Sequence, residues 1–295
     1  MQRVEKEIAR LIKEIDYDEV TRLFEMLSGG KRLRAKLILK IAPNNDKAPL
    51  LAAIVELIHG ASLLHDDVID EATLRRGVAS VNATDGSKVA VMLGDILYSK
   101  AFTELVSFDK DVAQVVASSV TALSKGEMKD VKLAESFNTD EGKYLDMLYL
   151  KTATLIEAAA ISSAILAGKD PILYGVYGRN LGLSFQIIDD ILDITSDEKT
   201  LGKPAMNDFV EGKCTLPYIY LHEALDDKEK ARLESLHAKS LQESDILWIQ
   251  EKMKVHESIE RSFALATRLS NEAMQAVKDD TELVEILKTM IKRSY

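Results

Sequence analysis

The chain has 295 residues, 46% of them hydrophobic, and its 38 Lys and Arg against 48 Asp and Glu leave a formal charge of −10. That size and apolar content allow one large domain or two medium ones with a sizeable core. The acidic balance argues against a nucleic-acid partner or a patch for anionic membranes. A single cysteine, Cys214, can form no internal disulfide, and the sequence reads as cytoplasmic without stable membrane insertion, having no signal peptide, lipidation motif or apolar run of membrane length.

All five prolines, at 43, 49, 171, 204 and 217, fall between periodic segments or at their starts. Long helical patterns remain uninterrupted, which predicts an all-α chain. Residues 2 to 27 carry two short amphipathic helices broken near Asp16-Tyr17-Asp18. Ser28-Gly29-Gly30 then makes a turn, and Lys31, Arg32 and Arg34 open the next helix. Cations at a helix N-terminus oppose its dipole unless an anion binds there, so this is either a solvated basic turn or an anion site.

Residues 44 to 49 read as a turn into an apolar helix, Leu50 to Asp70, that ends in Asp66-Asp67-Val68-Ile69-Asp70. At 100° per residue Asp70 lies about 40° from Asp66, so those two carboxylates share a face and Asp67 sits to one side. His59 falls about 20° from Asp66, on the same stripe two turns back; a core histidine is the plainer reading of it. Arg75-Arg76-Gly77 follows across a short connection, and arginine suits the bidentate grip that phosphates accept. Salt bridges to the nearby acids are the alternative.

Helical patterns from Val89 to Val106 and from Asp111 to about Val131 contain Gly94-Asp95 and Gly126-Glu127, to which no catalytic role is assigned. Asn138 with Glu141 predicts a cap for a helix running to Gly168, with Lys151-Thr152 inside it. Asp170-Pro171 opens a second apolar helix ending in Asp189-Asp190-Ile191-Leu192-Asp193. Gln186 precedes Asp189 and Asp190 by three and four residues, so it shares their face and can bond a metal-bound carboxylate. A Gly/Pro loop with Lys199, Lys203 and then Lys213 follows, suited to closing over a bound phosphate. The remaining helices, residues 226 to 295, carry a capping box at Ser240-Leu241-Gln242-Glu243 and no site-like cluster, and serve as a supporting wall. Two apolar helices each ending in three aspartates, if they face one another, collect six carboxylates around one space. Carboxylates that share a metal with a phosphate describe Mg²⁺ better than caged Ca²⁺.

This ordered set resembles the trans-type isoprenyl (polyprenyl) diphosphate synthases, whose two DDxxD motifs match Asp66 to Asp70 and Asp189 to Asp193. Further matches run in order through Gly29-Gly30-Lys31-Arg32-Leu33-Arg34, Arg75-Arg76-Gly77, Lys151-Thr152, Gln186, Gly202-Lys203 and Gly212-Lys213, nearly the length of the chain. Ala35 stands where the family usually has Pro, and Asp130 where it often has Gln. The resemblance implies a single domain, 1–295, folded as an all-α helical bundle around a deep central apolar cavity, with residues 1–225 as catalytic core. It implies three Mg²⁺ ions held by Asp66, Asp67, Asp70, Asp189, Asp190 and Asp193. An allylic diphosphate, farnesyl or similar, is implied at Arg75, Lys151, Thr152, Lys203 and Lys213, and isopentenyl diphosphate at Lys31, Arg34, Arg76 and His59. The implied reaction is the head-to-tail 1'-4 condensation of the two, in a homodimer whose candidate interface is the helix around Gly94 to Val106.

Ser62, Ile58 and Ala61 fall at about −40°, −80° and −140° from Asp66, a sector leading away from the metal stripe. Short-chain members commonly carry bulky stops four and five residues before the first Asp. Ser62 and Ala61 are small, which predicts a medium- or long-chain all-trans product of the hexaprenyl to octaprenyl kind, destined for quinone side chains, with Phe102 or Leu105 as the tunnel floor. The alternatives are a geranylgeranyl diphosphate synthase, a class I terpene cyclase and a non-catalytic subunit of a heteromeric synthase. A cyclase typically has an Asn/Ser or Thr/Glu second motif, and a non-catalytic subunit lacks one of the sites.

Overall fold

Helix after helix forms where an apolar stripe is framed by breakers. The computed structural model describes residues 1–27, 30, 32–75, 77–195 and 206–292. Helix α1 (Gln2–Lys13) buries Val4, Ile8, Leu11 and Ile12, the i, i+4, i+7, i+8 stripe of an amphipathic helix. It stops at Asp16, whose φ is 54°, and α2 (Asp18–Met26) follows. After α3 (Leu33–Ile41), α4 (Ala48–Ile69) starts with Pro49 in its first turn, where the missing N–H costs nothing. Nearly all of α4 up to Leu64 is buried, because α1 and α3 pack on it and so does α6 (Ser87–Leu105).

One departure from an all-helical chain is a small hairpin, β1 (Leu74–Arg75) with β2 (Val78–Ala79), paired Leu74 to Ala79 and Arg75 to Val78. Gly77, at φ 79°, supplies the left-handed residue its turn needs. Ser80 then caps α5 (Val81–Asp85), its Oγ accepting from Ala83 N at 3.0 Å.

After α7 (Lys110–Ala134), the cap expected at Asn138 is made instead by Asp140, whose Oδ1 accepts from Lys143 N at 3.0 Å and opens α8 (Glu141–Leu148). Asn138 braces that residue, bonding both Asp140 N and Asp140 O at 3.2 Å. A five-residue π-helical turn, Tyr149–Ala153, interrupts the expected continuous helix before α9 (Thr154–Leu166). Asp170 Oδ1 accepts from Ile172 N at 2.8 Å and starts α10 (Pro171–Thr195). The chain ends in α11 (Asn207–Val210), α12 (Leu216–Ala224), α13 (Asp227–Leu236), α14 (Glu243–Val255), α15 (Ser258–Ala276) and α16 (Thr281–Lys292). The capping box expected at Ser240 is not formed, since α14 begins after Gln242 with no side-chain cap bond.

The chain gathers into two compact units, Met1–Thr121 with Leu155–Gly178, and Ala122–Thr154 with the chain from Arg179 on. The first is centred on α4. The second has a core of Ile194, Phe209, Tyr218, Leu221, Leu233, Ile249 and Met253, in which the rings of Phe209 and Tyr218 stack 4.3 Å apart. Contrary to expectation, Ala48–Ile69 and Glu141–Leu166 are each long and apolar enough to cross a bilayer, yet 67% of each apolar window is buried inside the fold. Burial against other helices uses the same surface a membrane would.

Candidate active site

In the first unit the last turn of α4 presents the first acidic motif. Asp70 is exposed and Asp66 partly so, whereas Asp67 is 1% exposed. A carboxylate that deep needs a cation or donors, and Asp67 Oδ1 takes both Nε of Arg75 at 2.6 Å and Nη2 at 2.5 Å. The 100° rotation that separates Asp67 from its neighbours turns it towards the hairpin. Expected among the metal ligands, Asp67 is engaged with Arg75 in this structure. His59 is partly buried on the same helix. Arg34, in the first turn of α3, is half-buried, and desolvation lowers its pKa against the opposing charge of Glu56.

Of the chain-length residues, Ile58 and Ala61 are fully buried and Ser62 is partly buried, its hydroxyl donating to His59 O at 2.9 Å. Leu105 is buried as a floor residue must be. Phe102 is not; it is 37% exposed and stacks on Tyr98, because its position on α6 points away from the helices that α6 packs against. Lys31, Arg76 and Lys203 lie outside the described residues.

The second unit holds a cavity of about 170 Å³ whose wall includes Lys151, Thr152, Gln186, Asp189, Asp190 and Lys213. A chain of bonds orders it. Thr152 Oγ1 donates to Gln186 Oε1 at 3.3 Å, and Gln186 Nε2 donates to Asp190 Oδ1 at 3.0 Å. The hydroxyl of Tyr144 donates to the other oxygen, Asp190 Oδ2. Desolvation first, then the charge of Asp208, pushes the Asp190 carboxyl well above the ordinary carboxylate range. Burial and the charge of Asp190 likewise raise the Tyr144 hydroxyl, which therefore stays protonated and donates. Asp193 is 3% exposed and faces the returning chain, its Oδ2 accepting from Asp208 N at 3.2 Å. Asp189 is exposed at the cavity.

Lys151 is held in the π-turn, with its Nζ 2.6 Å from Asp130 Oδ2 and 2.9 Å from Glu127 Oε2. Gly126 makes that approach possible, since a Cβ on it would lie 2.7 Å from Lys151 Cα. Lys213 pairs with Glu211 at 2.9 Å.

Sequence reasoning missed Tyr144, Asp208, Glu127 and Asp130. The available signals were weak: Glu127 and Asp130 are three apart on one helix face, while Tyr144 and Asp208 reach the site only through the tertiary fold. Asp190, raised by its burial and by the neighbouring charges of Asp208 and Asp189 at the cavity wall, belongs to a hard-oxygen donor set that a divalent cation relieves, so these residues fit the metal that the motifs imply. Among the described residues no three acidic, histidine or cysteine side chains already converge on one point.

Comparison with known proteins agrees with this chemistry. A family model, Polyprenyl synthetase, matches residues 18–254. The sequence is 37% identical over 246 residues to the short chain isoprenyl diphosphate synthase of Methanothermobacter thermautotrophicus, covering 79% of this chain and 76% of that one. Among solved structures, the octaprenyl pyrophosphate synthase of Helicobacter pylori is similar with a TM-score of 0.93 and 44% identity, over 98% of this chain and 97% of that one. The decaprenyl diphosphate synthase of Rhodobacter capsulatus gives 0.94 at 28% identity, over 100% and 96%. With one family model matching most of the chain and both acidic motifs in place, the chain belongs to the polyprenyl synthetase family and is an enzyme of that kind, a prenyltransferase that makes polyprenyl diphosphates.

Proposed function

We propose that this enzyme joins isopentenyl diphosphate to an allylic diphosphate, farnesyl or similar, in a 1'-4 condensation dependent on Mg²⁺. The product is a medium- or long-chain all-trans polyprenyl diphosphate that supplies quinone side chains. The enzyme acts as a cytoplasmic homodimer, with residues 1–295 as one catalytic domain. The observation that carries the reading is that Lys151, Thr152, Gln186, Asp189, Asp190 and Lys213 line one cavity. It combines hard-oxygen ligands with the cations that a diphosphate requires.

The metal, three ions of it, would be held by Asp66, Asp67, Asp70, Asp189, Asp190 and Asp193, and would supply neutralisation of the departing diphosphate. Lys151, Thr152, Lys213, Lys203 and Arg75 grip that diphosphate and spread its charge as the C–O bond ionises. Gln186 and Tyr144 hold Asp190 in one orientation. Lys31, Arg34, Arg76 and His59 hold isopentenyl diphosphate so that its double bond meets the allylic carbon. The released diphosphate takes the proton, and no side-chain nucleophile is needed.

Small residues at Ala61 and Ser62, and likeness to an octaprenyl enzyme, favour a long product. A geranylgeranyl-length product is the second reading, favoured by likeness to a short-chain enzyme. Incubation with Mg²⁺, labelled isopentenyl diphosphate and farnesyl diphosphate, followed by sizing of the dephosphorylated products, decides between them. Chains of six or more isoprene units are expected. A four-unit product overturns the length, and cyclised or absent product overturns the condensation itself.

A further inference from the structure

Between Leu50 and Leu64, in the most buried part of α4, the only acidic residue is Glu56, and it is 5% exposed. A carboxylate there is costly unless both oxygens are engaged. They are engaged at one place, the start of α3. Oε1 accepts the buried Ala35 N–H at 3.0 Å, and Oε2 accepts from Arg32 Nη1 at 3.2 Å. Helix α3 has no cap of its own: its N-cap residue is Arg32, left-handed at φ 50° and ψ 43°, with no side-chain cap bond. Glu56 thus supplies from a neighbouring helix the acceptor that Ser or Asp normally supplies at an N-cap. Its ion pair also holds a non-glycine residue in a conformation such residues rarely adopt. From the other side Arg32 is gripped by Glu5 of α1, at 3.3 and 3.5 Å. Two residues on, the Nε of Arg34 is enclosed and has no hydrogen-bond partner among the described residues.

We infer that Glu56 is a positioning residue for isopentenyl diphosphate: it fixes the first turn of α3, and with it Arg34, in the conformation that receives the diphosphate. The inference rests on the proposed assignment of Arg34 to that substrate. An acid beside an anion site opposes binding by simple Coulomb repulsion, so its presence favours binding only through geometry.

These two effects have opposite signs in Glu56→Gln, which keeps the side-chain shape and an acceptor for Ala35 N–H but loses the charged pair with Arg32. The test is steady-state kinetics on Glu56→Gln and Arg34→Ala, with each substrate varied in turn. Glu56→Gln is expected to raise KM for isopentenyl diphosphate about 10-fold or more, the scale of a lost charge-assisted bond, with kcat and the allylic KM within about two-fold. An unchanged or lower KM in Glu56→Gln, with a raised one in Arg34→Ala, overturns the positioning role alone. If neither variant raises it, the assignment of α3 to this substrate fails and the inference with it. Should Glu56→Gln lose its helical circular dichroism, Arg32→Gln removes the same pair from the more exposed side. The same rise in KM is then expected, and an unchanged KM overturns the role.

Discussion

At Asp190 two donors, the amide of Gln186 and the hydroxyl of Tyr144, meet one buried carboxylate. Tyr144→Phe keeps the ring and removes one donor, leaving a buried carboxylate oxygen short of a partner at a cost of about 1–3 kcal/mol. Both stability and turnover should fall, with kcat lower by about 10-fold, as read from denaturant melts and product formation. Wild-type turnover in a correctly folded Tyr144→Phe would remove Tyr144 from the site. Burial also pushes the Cys214 thiol up to about 12 from an ordinary 9.0. At pH 8 the native thiol should therefore resist alkylation while the urea-unfolded chain reacts. A raised folded-state pKa means the fold favours the protonated thiol. Its contribution is fully present below pH 9 and is lost as pH rises towards 12. Urea midpoints at pH 8 and 10.5 should drop less in Cys214→Ala than in the wild type.

At the scale of elements, the π-turn Tyr149–Ala153 is the local irregularity that delivers Lys151 to the cavity wall, and α7 accommodates it at Gly126. Gly126→Ala would place a methyl carbon 2.7 Å from both Lys151 Cα and Leu150 C, all backbone, so one helix must move. A loss of about 1–3 kcal/mol is expected from overpacking. Displacement of Lys151 should raise KM for the allylic substrate more than for isopentenyl diphosphate. Equal effects on both would show that Lys151 does not discriminate between them. The periodic stripe of α1, the apolar length of α4 and the Asp170 cap of α10 were legible in the sequence because each depends on neighbours a few positions away. The π-turn and the exchange of Asn138 for Asp140 as cap were not, because both depend on where other segments pack.

For the molecule as a whole, product length should follow the space beside α4. Ala61 is fully buried, and Phe there should shorten the product by several isoprene units at an overpacking cost of about 1–3 kcal/mol, read by product sizing and thermal melts together. Unchanged length in a folded Ala61→Phe would show that the chain grows elsewhere. Truncating Leu105, buried where Phe102 is exposed, should lengthen the product if Leu105 is the floor.

The amino-acid sequence alone determined the helical class and the positions of both acidic motifs, since helical periodicity and the i, i+3 and i+4 geometry are local properties of the chain. It also marked Gln186 as a residue able to reach Asp190, four positions along one helix, and the structure bonds the two at 3.0 Å. The tertiary structure decided how three of these six acids are engaged: Asp67 with Arg75, Asp193 with the amide of Asp208, and Asp190 with Tyr144, 46 positions earlier in the chain. It likewise set Lys151 against Asp130 and Glu127, and Glu56 against α3. A buried charge takes whichever partner the packing brings within about 3 Å, and no spacing along a single helix encodes a partner on another.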